Sequence, residues 1–407
     1  MRRRSLLTGI VAAQFVPAAP YLVRAAETPG VTSSEIRIGS MAAYSGPASA
    51  YSAIGRAHTA TFKWLNDQGG VGGRKVNFIS YDDAYSPPKA VEQVRRLIEQ
   101  DVVACLSNTL GTPSNSAIVK YVNQKKVPHL FVGSGADKWG DYKEHPWTIG
   151  WQPSYRTESQ IYAQYILKAK PEAKIAILYQ NDDFGKDYVA GVKDVLKDRF
   201  EKVVAASYEV TDPTIDSQAI TLQNSGADVL ISAATPKFAA QIIRKVADMN
   251  WKPLHLLTNV STSVGAVMEP ARVERGIEVI SSAYLKDPTD PQWKGDAGLQ
   301  QWRDIMKKYL PDADISDSFY VYGYAATMTT IATLRAYGTD FSRENLMCQA
   351  TNMKDVEVGA LLPGIRINSS PTNCHPIRQV QLMRWTGKTW ELFGEVLSGS
   401  IVRFAMM

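Results

Sequence analysis

From residue 35 to about residue 280 the chain alternates short apolar runs with longer stretches of helical periodicity, and it does so in two successive series. The first predicts strands at Ile36–Met41, Val76–Tyr81, Val102–Leu106 and His129–Val132, separated by helices at Ser52–Asp67, Pro87–Glu99 and Thr112–Gln124. Ile54, Ala57, Ala60, Thr61, Trp64 and Leu65 share one face of the first helix, and the glycines of Gly69-Gly70-Val71-Gly72-Gly73 stop it. The second series predicts helices at Tyr155–Lys168, Gly185–Arg199, Ser217–Asn224 and Lys237–Met249, with strands at Ile175–Tyr179, Val203–Tyr208, Val229–Ala233 and Leu254–Leu257. Strands that are apolar along their whole length are buried on both faces, the mark of a parallel sheet wrapped by helices. Two such series predict an α/β protein with two Rossmann-like lobes.

The last third breaks the rhythm, with a long helical region at Asp317–Ala336 and a strand pair, Val380–Trp385 and Trp390–Phe393, split by Gly387. The helices after Tyr284 cannot all cover the second sheet, so the chain is expected to cross back to the first lobe. The expected division is residues 31–150 plus about 281–358 for lobe I, and 151–280 plus about 359–407 for lobe II. In open sheets of this kind a ligand binds beyond the carboxyl ends of the strands, here in the crevice between the lobes.

Arg2, Arg3 and Arg4 precede the uncharged stretch Leu6–Ala19, and Val23-Arg24-Ala25 follows in the small-x-small pattern of a cleavage site. About 14 apolar residues are too few to span a bilayer, which needs ~20, so residues 1–25 read as a cleaved secretory signal and the mature chain as periplasmic. Whether the general secretion or the twin-arginine route carries it stays open. The whole chain has 45 Lys and Arg against 40 Asp and Glu, a net charge of +5. Four of those arginines lie in the signal, so the mature chain is nearly neutral and no nucleic-acid partner is implied. In an oxidising compartment two of the three cysteines should pair. Cys105 lies in an apolar strand, so Cys348 and Cys374 are the expected disulfide, and their spacing fits no metal site.

The sequence offers little catalytic chemistry. It contains no G-x-S-x-G, H-E-x-x-H, G-x-x-x-x-G-K-[ST] or G-x-G-x-x-G pattern. The histidines are isolated, and His129 and His255 read as structural residues at strand starts. The acid pairs Asp82-Asp83 and Asp182-Asp183 point to opposite sides of strand ends and read as solvated turn residues. An exported hydrolase is thereby disfavoured, and no cofactor or metal is called for. The loops after the strands are richer: Tyr44-Ser45-Gly46-Pro47, Ser107-Asn108-Thr109-Leu110-Gly111-Thr112 and Gly133-Ser134-Gly135 gather hydroxyls, glycine amides and a helix start at one sheet edge. Such N–H groups suit an anion such as a carboxylate.

Ser45-Gly46-Pro47, Asn66-Asp67-Gln68-Gly69-Gly70-Val71-Gly72-Gly73-Arg74, Tyr81-Asp82-Asp83 and Asp183-Phe184-Gly185-Lys186, in that order, resemble the successive signatures of the leucine/isoleucine/valine-binding family of type I periplasmic binding proteins. The likeness runs from about residue 35 to the C-terminus. It implies an exported, monomeric, non-enzymatic receptor that delivers a small molecule to an ABC importer's membrane permease, with two lobes joined by three crossings that close over the ligand. It places the carboxylate site on Thr109 with Gly133, Ser134 and Gly135, and the covering aromatic on Tyr51. In lobe II, Phe184 stands where the family usually has tyrosine, and Thr235 where another aromatic often lies.

One departure bears on the ligand. The acid expected after Leu257 to receive an ammonium group is absent, Asn259 and Val260 take its place, and no Asp or Glu occurs between Asp248 and Glu269. A buried ammonium without a counter-charge would cost several kcal/mol. The expectation is therefore a hydrophobic or aromatic carboxylate, with Trp151 and Tyr155 as an aromatic wall against its ring. An amino-acid receptor with an atypical amine site, or a sensing regulator on the same fold, remains the alternative.

Overall fold

A computed structural model describes residues 28–398, so the signal-like segment 1–25 lies outside them. The elements in chain order are β1 (Glu35–Ala42), α1 (Ser52–Asp67), β2 (Lys75–Asp82), α2 (Pro87–Glu99), β3 (Cys105–Ser107), α3 (Thr112–Gln124), β4 (His129–Val132) and β5 (Thr148–Gly150). Then come α4 (Tyr155–Ala169), β6 (Ile175–Gln180), α5 (Asp183–Leu196), β7 (Val204–Tyr208), α6 (Asp216–Asn224), β8 (Val229–Ala233), α7 (Pro236–Asp248), β9 (Leu254–Leu257), the single turn α8 (Glu269–Ala271) and β10 (Ile280–Ala283). The last part holds α9 (Ala297–Tyr309), α10 (Ser318–Arg335), α11 (Arg343–Ala350), β11 (Gln379–Trp385) and β12 (Trp390–Ser398).

The strands form a five-stranded sheet, β2-β1-β3-β4-β5, and a seven-stranded sheet, β12-β11-β10-β9-β8-β6-β7. The first is parallel throughout. In the second, β11 runs antiparallel to both β10 and β12. Because β10 pairs with β9 and β11, residues 280–283 belong to the second sheet, and the return to the first lobe begins at Tyr284 instead of about 281. Three stretches of chain link the lobes and pair side by side. Leu285 bridges Leu361, and Gly150 N–H and Ile377 N–H donate to Cys374 O and Trp151 O.

Local chemistry explains the small shifts from the sequence pattern. Val102 takes φ 52°, so β3 starts at Cys105 and not at Val102. The Asp182 carboxylate accepts from Phe184 N–H at 3.0 Å and caps α5, which therefore begins two residues before Gly185. Helix α10 is buried nearly all round, and its threonines are satisfied internally: Thr327, Thr329, Thr330 and Thr333 donate to carbonyls four residues back. It crosses α1 at Gly323, where a Cβ would meet Ile54 O at 2.5 Å and the Ala57 methyl at 2.8 Å. All three cysteines are free thiols. Cys348 is exposed on α11 whereas Cys374 is buried beside Gly150 at a crossing, so the expected disulfide is absent.

Candidate ligand-binding cleft

The carboxyl ends of both sheets face one cleft, and the lobes touch across it. Tyr51, in the turn leading into α1, donates its hydroxyl to Val260 O at 3.1 Å. Gln180 Nε2 donates to Tyr85 OH at 3.4 Å, and Ser263 Oγ donates to Asp317 Oδ1 at 2.8 Å. At the far rim Lys138 Nζ meets Asp183 Oδ2 at 2.6 Å, and Asp137 N–H donates to Asp187 Oδ2 at 2.8 Å.

On the first wall Ser134 and Gly135 meet Tyr155 of α4, whereas Thr109 stays out and the Gly133 N–H, expected to serve the ligand, donates to Thr109 O at 2.9 Å. Thr109 is wholly buried, with its Oγ1 2.6 Å from both Asn115 Oδ1 and His129 Nε2 inside lobe I. Thr112, the first residue of α3, takes the position expected of it: its Oγ1 lies 2.7 Å from Ser134 Oγ. Ser134 Oγ also accepts from Trp139 Nε1–H at 3.0 Å and Ala136 N–H at 3.2 Å. The Tyr155 phenol oxygen faces Thr112, Ser134 and the Gly135 N–H. Gly135 has to be glycine there, since a Cβ would meet the Tyr155 ring at 2.8 Å. Asp82 and Asp83 are turned away from the cleft. Asp82 accepts the N–H groups of Tyr44, Ser45 and Ala84, while the fully buried Asp83 accepts from Ser114 Oγ and Tyr85 N–H. Asp83 is thus a buried staple and not a solvated turn residue.

The second wall contains Phe184, edge-on to Tyr155 with ring centres 4.8 Å apart. Thr235 Oγ1 donates to Gln180 Oε1 at 3.1 Å. Asn259 and Val260 follow β9 and line a cavity of about 70 Å³ together with Tyr51, Ser282, Tyr284, Phe319 and Tyr322. Trp151 stands behind this surface, edge-on to Tyr322 at 4.9 Å, with Nε1 donating to Thr329 at 2.9 Å. It supports the aromatic wall; Tyr284, Phe319 and Tyr322 form it. Burial lifts the phenol of Tyr51 well above its ordinary value and that of Tyr155 to about 12, so both are neutral hydroxyls at physiological pH.

Sequence reasoning missed the acid of this wall. Glu158 on α4 is almost completely buried, and its Oε1 accepts from Tyr162 OH at 2.6 Å, Ser282 Oγ at 2.6 Å and Asn259 N–H at 3.0 Å. Tyr188 OH donates to Oε2. Burial raises its pKa, and these donors oppose the rise. A signal was present: Glu158 shares the buried face of α4 with Tyr155 and Tyr162, where a solvated glutamate does not belong. His58, His129 and His255 are buried and held neutral, with burial lowering them to about 4, 3 and 4.

The sequence pattern of periplasmic binding proteins matches residues 35–389. The chain belongs to that family. This periplasmic binding protein is 23% identical over 383 residues to Leu/Ile/Val-binding protein homolog 7 of Brucella suis, covering 91% of this chain and 94% of that one. Its fold is similar to that of a branched-chain amino acid ABC transporter protein from Thermus thermophilus solved with bound valine, with a TM-score of 0.79, 15% identity, and 89% and 96% of the two chains covered. It is also similar to a fatty acid ABC transporter substrate-binding protein from Thermomonospora curvata, with a TM-score of 0.75, 19% identity, and 91% and 94% covered. The family is one of extracytoplasmic solute-binding proteins of the leucine/isoleucine/valine-binding type. Among the described residues no helix is long and apolar enough to cross a membrane.

Proposed function

We propose that this protein is an exported, monomeric receptor that hands a small hydrophobic or aromatic carboxylate to the permease of an ABC importer, without chemical turnover. The observation that carries the reading is the donor group at the start of α3: Thr112 Oγ1 and Ser134 Oγ, 2.7 Å apart on lobe I, and the Gly135 N–H face the phenol of Tyr155 at the start of α4. Hydroxyls and N–H groups at a helix N-terminus stabilise an anion. The cavity, which none of these four residues lines, is walled by Tyr51, Tyr284, Phe319 and Tyr322, flat surfaces suited to an apolar body, with Lys286 and Asp287 also on its lining. The solved relatives named for valine and for fatty acid both take carboxylates. Ligand contacts drawn from both lobes would shift an open–closed equilibrium toward the closed form. Residues 1–25 fit a signal removed during export to the periplasm.

A second reading, an α-amino-acid receptor, is favoured by Glu158, whose carboxyl group lies one layer behind Asn259. Calorimetry on the mature chain separates the two. Binding of benzoate or 4-methylpentanoate at micromolar concentration, with leucine weaker, is expected of the first. Tight leucine binding with no detectable benzoate binding would refute it.

A further inference from the structure

Asn259 and Gln152 each hold a polar atom that no group among the described residues satisfies: Asn259 Oδ1 and Gln152 Nε2 are buried without a hydrogen-bond partner there. An unsatisfied buried polar atom is costly, and a native structure keeps one where something outside the chain completes it. Asn259 lines the cavity, and Gln152, only 2% exposed, lies against its wall with Oε1 accepting from Tyr322 OH at 2.7 Å. The two atoms have opposite polarity. Gln152 Nε2 requires an acceptor, such as a carboxylate or carbonyl oxygen. Asn259 Oδ1 requires a donor.

The orientation of the Asn259 amide follows from its neighbours. Glu158 Oε1 accepts from the Asn259 N–H, so Ser282 Oγ, 2.6 Å from the same oxygen, donates its proton there. Ser282 Oγ then has only lone pairs left for Asn259, and its neighbour at 3.5 Å is Asn259 Nδ2. Reversing the amide would set Oδ1 against those lone pairs. Glu158 and Ser282 thus act as positioning residues that fix which way the amide of this cavity-lining residue is turned.

We infer that Asn259 selects a ligand carrying a hydroxyl or amide N–H donor in addition to its carboxylate, so the ligand class is a hydroxy- or amido-substituted hydrophobic acid. The inference rests on the carboxylate reading proposed above. A neutral donor is satisfied by one amide oxygen. An ammonium brings a full charge and three protons to that single neutral acceptor, while the Glu158 oxygens are already filled by Tyr162, Tyr188, Ser282 and the Asn259 N–H.

The test is calorimetry on the full mature chain with two matched sets: 4-hydroxybenzoate against benzoate, and 2-hydroxy-4-methylpentanoate against 4-methylpentanoate and leucine. In at least one set the hydroxy acid should bind roughly fivefold or more tightly than its deoxy partner. Asn259→Leu should abolish that preference and leave the affinity of the deoxy acid unchanged. Ser282→Ala should reduce the same ratio, a readout that general loosening of the fold would not move. Asn259→Asp, a smaller change should Asn259→Leu not fold, should favour leucine over the hydroxy acid. Deoxy acids that bind as well as hydroxy acids in both sets, or a preference that survives Asn259→Leu, would overturn the inference while leaving the carboxylate reading intact. Failure of every acid to bind would remove that reading, and the inference with it.

Discussion

The two walls of the cleft are built from opposite chemistry. Lobe I offers hydroxyls and N–H groups at the start of α3, and Asp82 and Asp83 accept from N–H and hydroxyl groups of their own loops and α3. Lobe II sets Glu158 directly behind the residue that lines the cavity and caps it with tyrosine and serine hydroxyls, while Asp183 and Asp187 stand at the rim. On the function proposed above, the first wall would receive the ligand's negative charge and the second would not. A carboxylate ligand would therefore dock in one orientation, acid end toward α3, and closing the lobes adds the polarity of lobe II at the other end.

The strongest way to break this contrast is to remove the acid. Glu158→Ala leaves the hydroxyls of Tyr162, Tyr188 and Ser282 and the Asn259 N–H without their acceptor in the interior. The expected loss is about 3 kcal/mol of stability, read from the denaturant midpoint. Because the folded state raises the Glu158 pKa, its ionised form is disfavoured relative to the unfolded chain. Its stabilising contribution is full below the ordinary glutamate range and is lost as pH rises through the raised value. Glu158→Gln should flatten that slope, and an unchanged pH profile would show that the carboxylate gains its charge without penalty.

On the lobe I side, Thr112 and Thr109 give an internal control. Thr112→Val should weaken the binding of a carboxylate by about 1.5–3 kcal/mol, since it removes a hydrogen bond to a charged group, and Ser134→Ala should weaken it less, by removing the hydroxyl that holds Thr112. Thr109→Val should lower stability by roughly 2 kcal/mol, because Asn115 and His129 lose a buried partner, and should leave affinity nearly unchanged. The reverse pattern in calorimetry would move the anion site from Thr112 back to Thr109.

These two threonines also mark where the sequence stopped being legible. Strand and helix positions could be read because apolar periodicity is local, and of the strands and α-helices in residues 35–257 only the three-residue β5 lacked a pattern long enough to detect. The loops at the sheet edge were legible as a group, and Ser134 and Gly135 do meet there. Which hydroxyl turns outward depends on partners far along the chain: His129 and Asn115 draw Thr109 inward, and Ser134 holds Thr112 at the surface of the cleft. Glu158 was missed for the same reason. Its partner Ser282 lies 124 positions away, and Glu158 itself sits on α4, far in sequence from the loop after β9 that it supports. The disulfide failed because burial argues which cysteine is left over, whereas bridging requires the other two to be adjacent.

A pH series probes the rim, where the lobes meet through Asp187 on α5. Burial is the main cause that lifts its pKa to about 7, with Asp137 and Asp183 adding to the rise and Arg156 and the Asp137 N–H opposing it. The Asp137 N–H comes from the other lobe and lowers this pKa, so that contact by itself favours the ionised form on closure. The net shift in the folded chain is upward, so the contribution of Asp187 to stability is full below the ordinary aspartate range and is lost as pH rises through about 7. The denaturant midpoint should fall over that range, and Asp187→Asn should remove the dependence. An identical profile in that variant would assign the effect elsewhere.

The smallest expected effect belongs to the ion pair beside it. Lys138 Nζ and Asp183 Oδ2 lie 2.6 Å apart across the cleft, but the two side chains keep 32% and 47% of their surface exposed. Water screens such a pair, and measured values for exposed pairs fall below about 1 kcal/mol. Lys138→Met should therefore weaken binding by less than about fivefold at low salt. The difference from the parent should vanish near 0.5 M salt, where the screening length shrinks to a few ångströms. A larger, salt-independent loss would mean that Lys138 touches the ligand itself, and the lobe I wall would then hold a cation as well as its neutral donors. Such a result would sharpen the contrast between the two walls from polarity into full charge.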